Sequence, residues 1–174
     1  MINTNYYKKL MYHYLRPNLI YETIYDIDFD LIWDDGIRHL FFDVDNTLIT
    51  YSQDAVPLQC LNLFNSIASI GFENIVLVSN SSNVDRIEKV AKQLNLPGVM
   101  FSCKPFVFTM RRLLNDLDID NKQAAFIGDQ IFTDILMANC LDVKSIFVEP
   151  LDETGVSFFR TMQYRLQHSI LSKF

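Results

Sequence analysis

Between residues 37 and 148, short runs of apolar residues alternate with segments in which apolar residues recur every three or four positions. An uninterrupted apolar run is typical of a strand buried on both faces, and the longer spacing is typical of an amphipathic helix. The runs predict strands at 37–42, 74–78, 99–101, 124–127 and 143–148. The segments between them predict helices at 57–70, 83–94, 106–117 and 131–139.

Strands that alternate with helices in this way predict an α/β fold, with a Rossmann-like parallel sheet and helices on both faces. A chain of 174 residues with 49% hydrophobic content suits one globular domain. We expect three parts within it. They are an N-terminal segment (1–36) that packs on the core and holds a helix over 28–36, the core itself (37–150), and a C-terminal amphipathic helix (151–174).

Charge is unevenly distributed along the chain. The whole sequence has a formal charge of −6, yet residues 1–20 and 155–174 each contain three lysines or arginines and no acid. An acidic centre between basic ends does not match the surface of a nucleic-acid-binding protein, so no nucleic-acid partner is expected. Three cysteines without a CxxC pair indicate a reducing compartment. With no secretory signal or membrane-spanning run evident, we expect a cytoplasmic protein, at most peripheral to a membrane.

Polar side chains suited to chemistry follow the predicted strands. They are Asp43 and Asp45 after the first strand, Ser79 and Asn80 after the second, Lys104 after the third and Asp129 after the fourth. Ligands of open parallel sheets bind beyond the carboxyl ends of the strands. We therefore expect these residues to meet at one edge of the sheet.

The acidic residues favour a cation site. If the extended backbone continues past the first strand, Asp43 and Asp45 point the same way, and neighbouring carboxylates repel unless a cation lies between them. Asp129 adds a third carboxylate, and oxygen ligands at this density suit Mg²⁺. These residues also allow structural roles. Asp43 and Asp45 can belong to a turn, and Asp129 can cap the helix that follows it. Asp134 can be favoured simply because an acid in the first turn of a helix interacts well with the helix dipole.

Two further elements suit a phosphate group. The run Ser79-Asn80-Ser81-Ser82 offers hydroxyl and backbone N–H groups at the start of a predicted helix, where anions bind. Lys104 would balance the negative charge of Asp43 and of a phosphate. An ordinary helix cap and a solvated surface lysine are the open alternatives.

Taken in order, these elements resemble the haloacid dehalogenase (HAD) superfamily of aspartyl phosphatases over about residues 41–148. The motifs Asp-x-Asp-Asn-Thr-Leu, Val-Ser-Asn, Lys-Pro and Gly-Asp-Gln-x-x-Thr-Asp are similar to the YqeG-type branch of its subfamily IIIA. Segments 17–27 and 148–151 also look like that branch, which is related to mitochondrial phosphatidylglycerophosphate phosphatases. The resemblance implies a HAD-type core and a phosphatase, a phosphoric monoester hydrolase, that forms an aspartyl-phosphate intermediate.

The resemblance implies roles for the motif residues. Asp43 would be the nucleophile, while Asp45 would protonate the leaving oxygen and then take a proton from water. Four residues would bind the phosphoryl group or support the site: Thr47, Ser79, Asn80 and Lys104.

The implied cofactor is Mg²⁺. Its ligands would be the Asp43 carboxylate, the Asp45 main-chain carbonyl and Asp129, with Asp134 behind them. Phosphoryl transfer depends mostly on positioning and on neutralising charge, and these groups supply both.

No cap domain is expected over the site. Residues 48–75 hold one predicted helix, and residues 81–103 hold one helix and a short strand. An uncapped site is open to water, so substrate selection depends on groups outside the reacting centre. The favoured substrate is a phosphatidylglycerophosphate headgroup. Two other functions remain open. The protein can instead be a soluble phosphatase that acts on nucleotides or sugar phosphates, or an interaction module that keeps the phosphoryl site with little turnover.

The basic ends suggest peripheral membrane contact. In the C-terminal helix, Phe158, Phe159, Met162, Leu166 and Ile170 fall at helical spacing, and the arginines lie largely off that stripe. Such a helix can lie on an anionic membrane or pack its stripe on the sheet. We expect the second arrangement, because most amphipathic helices face a core.

Overall fold

The computed structural model describes residues 12–100, 102–154 and 158–173, with only the backbone at 158 and 159. Its six strands form one parallel sheet in the order β1-β6-β5-β2-β3-β4. The strands are β1 (Leu19–Tyr21), β2 (His39–Phe42), β3 (Asn74–Val78), β4 (Gly98–Val99), β5 (Ala124–Gly128) and β6 (Lys144–Val148).

Helices cover both faces of the sheet, which confirms the predicted fold class. The helices are α1 (12–15), α2 (Phe29–Asp34), α3 (Leu58–Ile70), α4 (Val84–Leu94), α5 (Phe108–Asp116), α6 (Leu136–Cys140) and α7 (Phe158–Leu171). Helices α2, α3 and α4 pack on the face that Leu40 and Phe42 share, and α5 and α6 pack on the face of Phe41. Helices α1 and α7 share a smaller cluster over β6. Short 3-10 turns lie at Ile24–Asp26 and Asn121–Gln123.

Helix ends follow the expected local signals. Asp28 caps α2 by accepting the Leu31 N–H, and Asn83 caps α4 by accepting the Arg86 N–H. Helix α3 ends at Gly71, whose φ of +108° is readily adopted only by glycine.

Three elements differ from the sequence prediction. The sheet contains a strand, β1, in the segment we expected only to pack on the core, and it pairs with β6 from Leu19 to Tyr21. The helix expected at 131–139 begins as a π-helical turn, Ile131–Ile135, and continues as α6. The third predicted strand is shorter, Gly98–Val99, and residue 101 lies outside the described part of the chain.

The orientation of α7 corrects the expected packing stripe. Met162 and Leu166 are 54% and 53% exposed, so they do not face the sheet. The buried positions are instead Tyr164, Gln167 and Ile170. Polar contacts made by Tyr164 and Gln167, described below, determine which face of the helix is buried.

None of the helices described is long and apolar enough to cross a membrane. The basic N-terminal residues Lys8 and Lys9 lie outside the described residues.

Candidate active site

The candidate residues meet at the carboxyl edge of the sheet, next to the central strand β2. The chain leaves β2 for β3 on one side, and β5 lies on its other side, so a crevice opens at this edge. Asp43 directly follows β2, and its N–H donates to the Ile127 carbonyl at 2.9 Å, which fixes the backbone at the end of the strand. Ser79 follows β3, and Asp129 follows β5.

Lys104 lies between two carboxylates. Its Nζ is 2.5 Å from Asp43 Oδ1 and 2.8 Å from Asp134 Oδ1, and it donates to the Val78 carbonyl at 3.0 Å. The lysine and both aspartates are buried. Because a buried charge is costly unless it is paired, this arrangement neutralises part of the negative charge of the site.

Three buried carboxylates form a cluster that fits a divalent cation. Oxygen atoms of Asp43, Asp129 and Asp134 all lie within 4.8 Å of one another. One ammonium, that of Lys104, opposes these three carboxylates, which leaves two formal negative charges. Asp129 Oδ2 is buried and receives no hydrogen bond from any described residue, so it is available as a ligand.

Gly128 allows the cluster to be this compact. A Cβ atom at position 128 would lie 2.5 Å from Asp134 Oδ2, so any larger residue would displace that carboxylate. Asp134 is also held by the Gln130 N–H, which donates to its Oδ2 at 3.1 Å. The absence of a side chain at position 128 therefore allows Asp134 to pack against the end of β5.

Burial dominates the electrostatics of the cluster. It raises the pKa of Asp43 to about 7, although Lys104 works in the opposite direction. Burial and the neighbouring carboxylates also raise the pKa of Asp129 well above its ordinary value. For Lys104, burial alone would lower the pKa, but Asp134 and Asp43 outweigh it and keep the ammonium charged.

These shifts predict that metal binding strengthens as pH rises. The folded, metal-free chain binds more protons at Asp43 than the unfolded chain does, so its stability should increase as pH falls through about 7. A divalent cation requires the ionised carboxylates and competes with those protons. We expect saturating Mg²⁺ to raise the unfolding midpoint more at pH 8 than at pH 5.5, measured by thermal unfolding against a chelator-treated sample. An equal shift at both pH values would contradict this prediction.

The loop after β2 is held by Thr47 and Asn46. The Thr47 hydroxyl lies 3.3 Å from both Asp43 Oδ2 and Asp129 Oδ1, so it can donate to either carboxylate. Asn46 has a φ of +66°, in the left-handed region that asparagine tolerates well. Its side-chain amide donates to the Asp152 carbonyl at 2.6 Å and to the Tyr164 hydroxyl at 2.9 Å.

Asp45 is paired with Arg86, a residue that the sequence analysis did not identify. Arg86 Nη1 donates to Asp45 Oδ1, while Nε and Nη2 each donate at 2.7 Å to the carbonyls of Gln53 and Thr50. Both charged side chains are largely buried. Arg86 therefore fixes the Asp45 carboxylate and the loop that follows it against the start of α4.

Ser79 and Asn80 organise the neighbouring loops. The buried Ser79 hydroxyl accepts the Ser81 N–H at 3.0 Å. Asn80 contacts the main chain of Lys104 twice, since its Nδ2 donates to the carbonyl at 2.9 Å and its Oδ1 accepts the N–H at 2.8 Å. Its Oδ1 also accepts from the Ser102 hydroxyl at 2.7 Å. Asn80 thus positions the lysine through its backbone.

An open pocket of about 550 Å³ lies over the buried cluster. Its volume falls in the range of small-molecule sites. Its lining residues are Asp43, Asp45, Tyr51, Asn80, Ser81, Ser82, Asn83, Arg86, Lys104, Gln130, Thr133, Arg160 and Gln163.

Helix α7 contacts the site, which the sequence analysis did not predict. Gln167 Nε2 donates to the Asp129 carbonyl at 2.8 Å, and its Oε1 accepts the Ile131 N–H at 2.9 Å. With the Tyr164 contact to Asn46, these bonds join α7 to the loops after β2 and β5. A glutamine and a tyrosine carry no motif signal, so only the structure identifies them.

The chain matches one protein family over most of its length. Residues 4–151 match the family described as mitochondrial PGP phosphatase. A protein of Bacillus subtilis (strain 168) named probable phosphatase YqeG is 22% identical over 156 residues, covering 90% of this chain and 89% of that protein. The matched segment includes the whole acidic cluster and Lys104, whereas α7 lies beyond it.

Solved structures share the fold. An uncharacterised protein from Listeria monocytogenes serotype 4b has a TM-score of 0.56 and 17% identity, covering 70% of this chain and 85% of its own. The 3-deoxy-D-manno-octulosonate 8-phosphate phosphatase of Yersinia pestis has a TM-score of 0.51 and 17% identity. The match covers 87% of this chain and 91% of that enzyme. The enzyme of that name from Moraxella catarrhalis, in complex with magnesium, phosphate and KDO, has a TM-score of 0.50 and 14% identity, covering 83% and 97%.

Proposed function

The chain belongs to the mitochondrial PGP phosphatase family and is a HAD-type phosphoric monoester hydrolase, and we propose that it acts through an aspartyl-phosphate on Asp43 with Mg²⁺ as cofactor. The observation that carries this proposal is the position of Asp43. Its carboxylate lies at the floor of an open pocket, 2.5 Å from Lys104 Nζ and within the cluster formed with Asp129 and Asp134.

In the first step, a carboxylate oxygen of Asp43 attacks the phosphorus of the substrate. The bond from phosphorus to the leaving oxygen breaks, and Asp45 gives that oxygen a proton. Lys104 stays beside Asp43 and stabilises the charge on the transferring group. Asp45 is paired with Arg86 in the structure, so this step requires that Asp45 leave that partner and carry a proton.

In the second step, Asp45, now a carboxylate, takes a proton from water. The water oxygen attacks phosphorus, and the bond between phosphorus and Asp43 breaks. Inorganic phosphate leaves, Asp43 is regenerated as a carboxylate, and Asp45 holds the proton for the next cycle. Thr47 donates to Asp43 or Asp129 and keeps the carboxylates in position.

The residues present fit Mg²⁺. The Asp43 carboxylate, the Asp45 main-chain carbonyl and Asp129 would hold the ion, while Asp134 holds Lys104. When bound, the ion supplies positive charge that offsets the phosphate and the three buried carboxylates. The buried Asp129 Oδ2, which receives no hydrogen bond from the described residues, supports this assignment.

For the substrate, we favour phosphatidylglycerophosphate, a phosphomonoester presented at a membrane surface. The family description supports this choice, and no inserted domain covers the described pocket. The outer face of α7 carries exposed Met162 and Leu166 with Arg165 between them, a pattern that suits an anionic membrane. Contact through this surface would bring α7, which also lines the pocket with Arg160 and Gln163, to the membrane.

Phosphate release tests the substrate. We expect phosphatidylglycerophosphate in vesicles to be hydrolysed with a higher kcat/KM than a panel of soluble nucleotide and sugar phosphates. The double variant Met162→Gln, Leu166→Gln should lower turnover in vesicles about tenfold, because it removes apolar surface available for insertion. The control is Leu31→Gln, since Leu31 is at least as exposed, at 61%, on α2.

Faster turnover of a soluble ester, without vesicle binding, would contradict the lipid substrate. The substrate would then be a soluble nucleotide or sugar phosphate. Negligible release from every ester, with Asp43 stably phosphorylated, would identify an interaction module instead.

A further inference from the structure

The Asp129 carboxylate is held less directly than the other two carboxylates of the acidic cluster. Lys104 Nζ contacts Asp43 at 2.5 Å and Asp134 at 2.8 Å. Among the described residues, the one side-chain hydrogen bond to the Asp129 carboxylate comes from the Thr47 hydroxyl at 3.3 Å, and Oδ2 receives none. That distance is long for a hydroxyl donor. The position of this carboxylate therefore depends mainly on the backbone that carries it.

Gln167 of α7 holds that backbone at two points. Strand β5 ends at Gly128 and the π-helical turn begins at Ile131, so residues 129 and 130 belong to neither element. Gln167 Nε2 donates to the Asp129 carbonyl at 2.8 Å, and its Oε1 accepts the Ile131 N–H at 2.9 Å. Both Gln167 and Asp129 are buried. One planar amide thus joins two backbone groups and restrains the turn from which the carboxylate projects.

Contacts on either side of Gln167 fix the orientation of α7. Tyr164, three residues before it, accepts a hydrogen bond from the Asn46 side-chain amide at 2.9 Å. Ile170, three residues after it, packs in the small apolar cluster over β6. Residues three apart share one face of a helix, so both contacts hold the face that carries the glutamine. The amide is therefore aimed at the 129–131 turn by the docking of the whole helix.

Helix α7 lies beyond the segment that matches the family, since the match ends at residue 151 and the helix begins at 158. An apolar residue at position 167 would be enough to dock the helix on the sheet. A buried amide that meets one acceptor and one donor of the turn does more than docking requires. Groups that contact a metal ligand from behind fix its orientation and strengthen the binding of the ion.

We propose that Gln167 is a positioning residue for the divalent cation. It holds the 129–131 turn so that Asp129 Oδ2 is in place to bind the ion, and α7 thereby completes the metal site. Gln167 acts through the main chain of Asp129 and contacts neither the ion nor the substrate. This inference rests on the proposed function, because that function assigns Mg²⁺ to Asp129.

Metal binding in the absence of substrate tests the proposal on the full chain. Gln167→Met keeps the length of the side chain and removes both hydrogen bonds. The probe is Mn²⁺, which takes oxygen ligands as Mg²⁺ does and whose free concentration is read by electron paramagnetic resonance. We expect the dissociation constant to rise about tenfold, as for other residues that orient metal ligands. Gln167→Asn keeps an amide that is too short to reach both backbone groups, so it should also weaken binding.

The control is Leu114→Ala. Leu114 is buried on α5 in a separate apolar cluster, so its truncation lowers stability by leaving a cavity. This variant should bind Mn²⁺ as the wild type does, because it leaves the 129–131 turn in place. The comparison separates the position of the metal ligand from a general loss of stability.

Steady-state phosphate release provides a second readout. Gln167→Met should require about tenfold more Mg²⁺ for half-maximal activity, because the metal site is less well ordered. At saturating Mg²⁺, its kcat should return to within about twofold of the wild-type value, since the reacting groups are unchanged. A kcat that stays low at saturating Mg²⁺ would overturn the positioning role.

The remaining outcomes distinguish this role from the phosphatase proposal. Equal Mn²⁺ affinity in the wild type and both Gln167 variants, an equal weakening in Leu114→Ala, or no Mn²⁺ bound by the wild type would overturn the positioning role. If the affinity falls as expected but no ester is hydrolysed, the positioning role stands and the phosphatase proposal fails. If esters are hydrolysed and the affinity is unchanged, the positioning role alone fails.

Discussion

Replacing Asp43 with asparagine is expected to abolish phosphate release, by at least about a thousandfold in kcat, because an amide does not form the acyl-phosphate. The change is nearly isosteric, so the pocket and the contacts of Asp129 and Asp134 should persist. The measurement is steady-state phosphate release from a generic ester with Mg²⁺. Asp34→Asn is the control, since this aspartate is exposed at the end of α2.

The same variant should not destabilise the metal-free chain at pH 8. Asp43 has a raised pKa because its ionised form is disfavoured by burial, so removing that charge relieves an unfavourable interaction. Loss of activity with an unchanged or higher unfolding midpoint therefore identifies a chemical role. Retained activity would show that another residue accepts the phosphoryl group.

Replacing Lys104 with methionine is expected to have the second-largest effect. Removal of the ammonium leaves Asp43 and Asp134 buried without their shared cation, which costs about 3–5 kcal/mol when one member of a buried pair is removed. The loss of transition-state stabilisation should also lower kcat by about a hundredfold or more. Denaturant unfolding measures the first effect and steady-state phosphate release measures the second. The control is Lys122→Met, because Lys122 is 68% exposed and pairs with Asp142 away from the site.

The pH dependence of this instability follows from the direction of the pKa shift. Without Lys104, the pKa of Asp43 should rise further, so the carboxylate becomes neutral at a higher pH. In chelator, the stability deficit of Lys104→Met should be larger at pH 8 than at pH 5.5, because both folded chains hold Asp43 protonated once the pH is well below about 7. Denaturant unfolding at pH 8 and pH 5.5 checks this. An equal deficit at both values would show that the lysine contributes packing and not charge.

The strand pattern predicted the edge of the sheet at which the motif residues lie. Continuous apolar runs predicted the inner strands, and the carboxyl ends of parallel strands lie at one edge, so Asp43, Ser79 and Asp129 were expected to be neighbours. The sequence pattern did not predict a strand at 19–21, because β1 has only three residues, lies at the edge of the sheet and is partly exposed. Its pairing with β6 depends on tertiary contact and not on local pattern.

The contact of Arg86 with Asp45 was missed because Arg86 lies in no motif. Arg86 is in the first turn of the predicted helix 83–94, where a positive charge opposes the dipole, and that conflict is a signal that the sequence already contained. The buried face of α7 was missed for another reason. Tyr164 and Gln167 form hydrogen bonds with the loops of the site, while Met162 and Leu166 stay exposed. The spacing of apolar residues carries no information about such hydrogen bonds.

The central claim is that phosphate passes through a covalent bond to Asp43, and chemical trapping tests it most directly. A single turnover with Mg²⁺ is stopped in acid and treated with borohydride, which reduces an aspartyl-phosphate to homoserine, and the digested chain is read by mass spectrometry. We predict homoserine at position 43 alone, dependent on both substrate and Mg²⁺. Phosphate release at the full rate with Asp43 unmodified, or with the modification at another residue, would contradict the account.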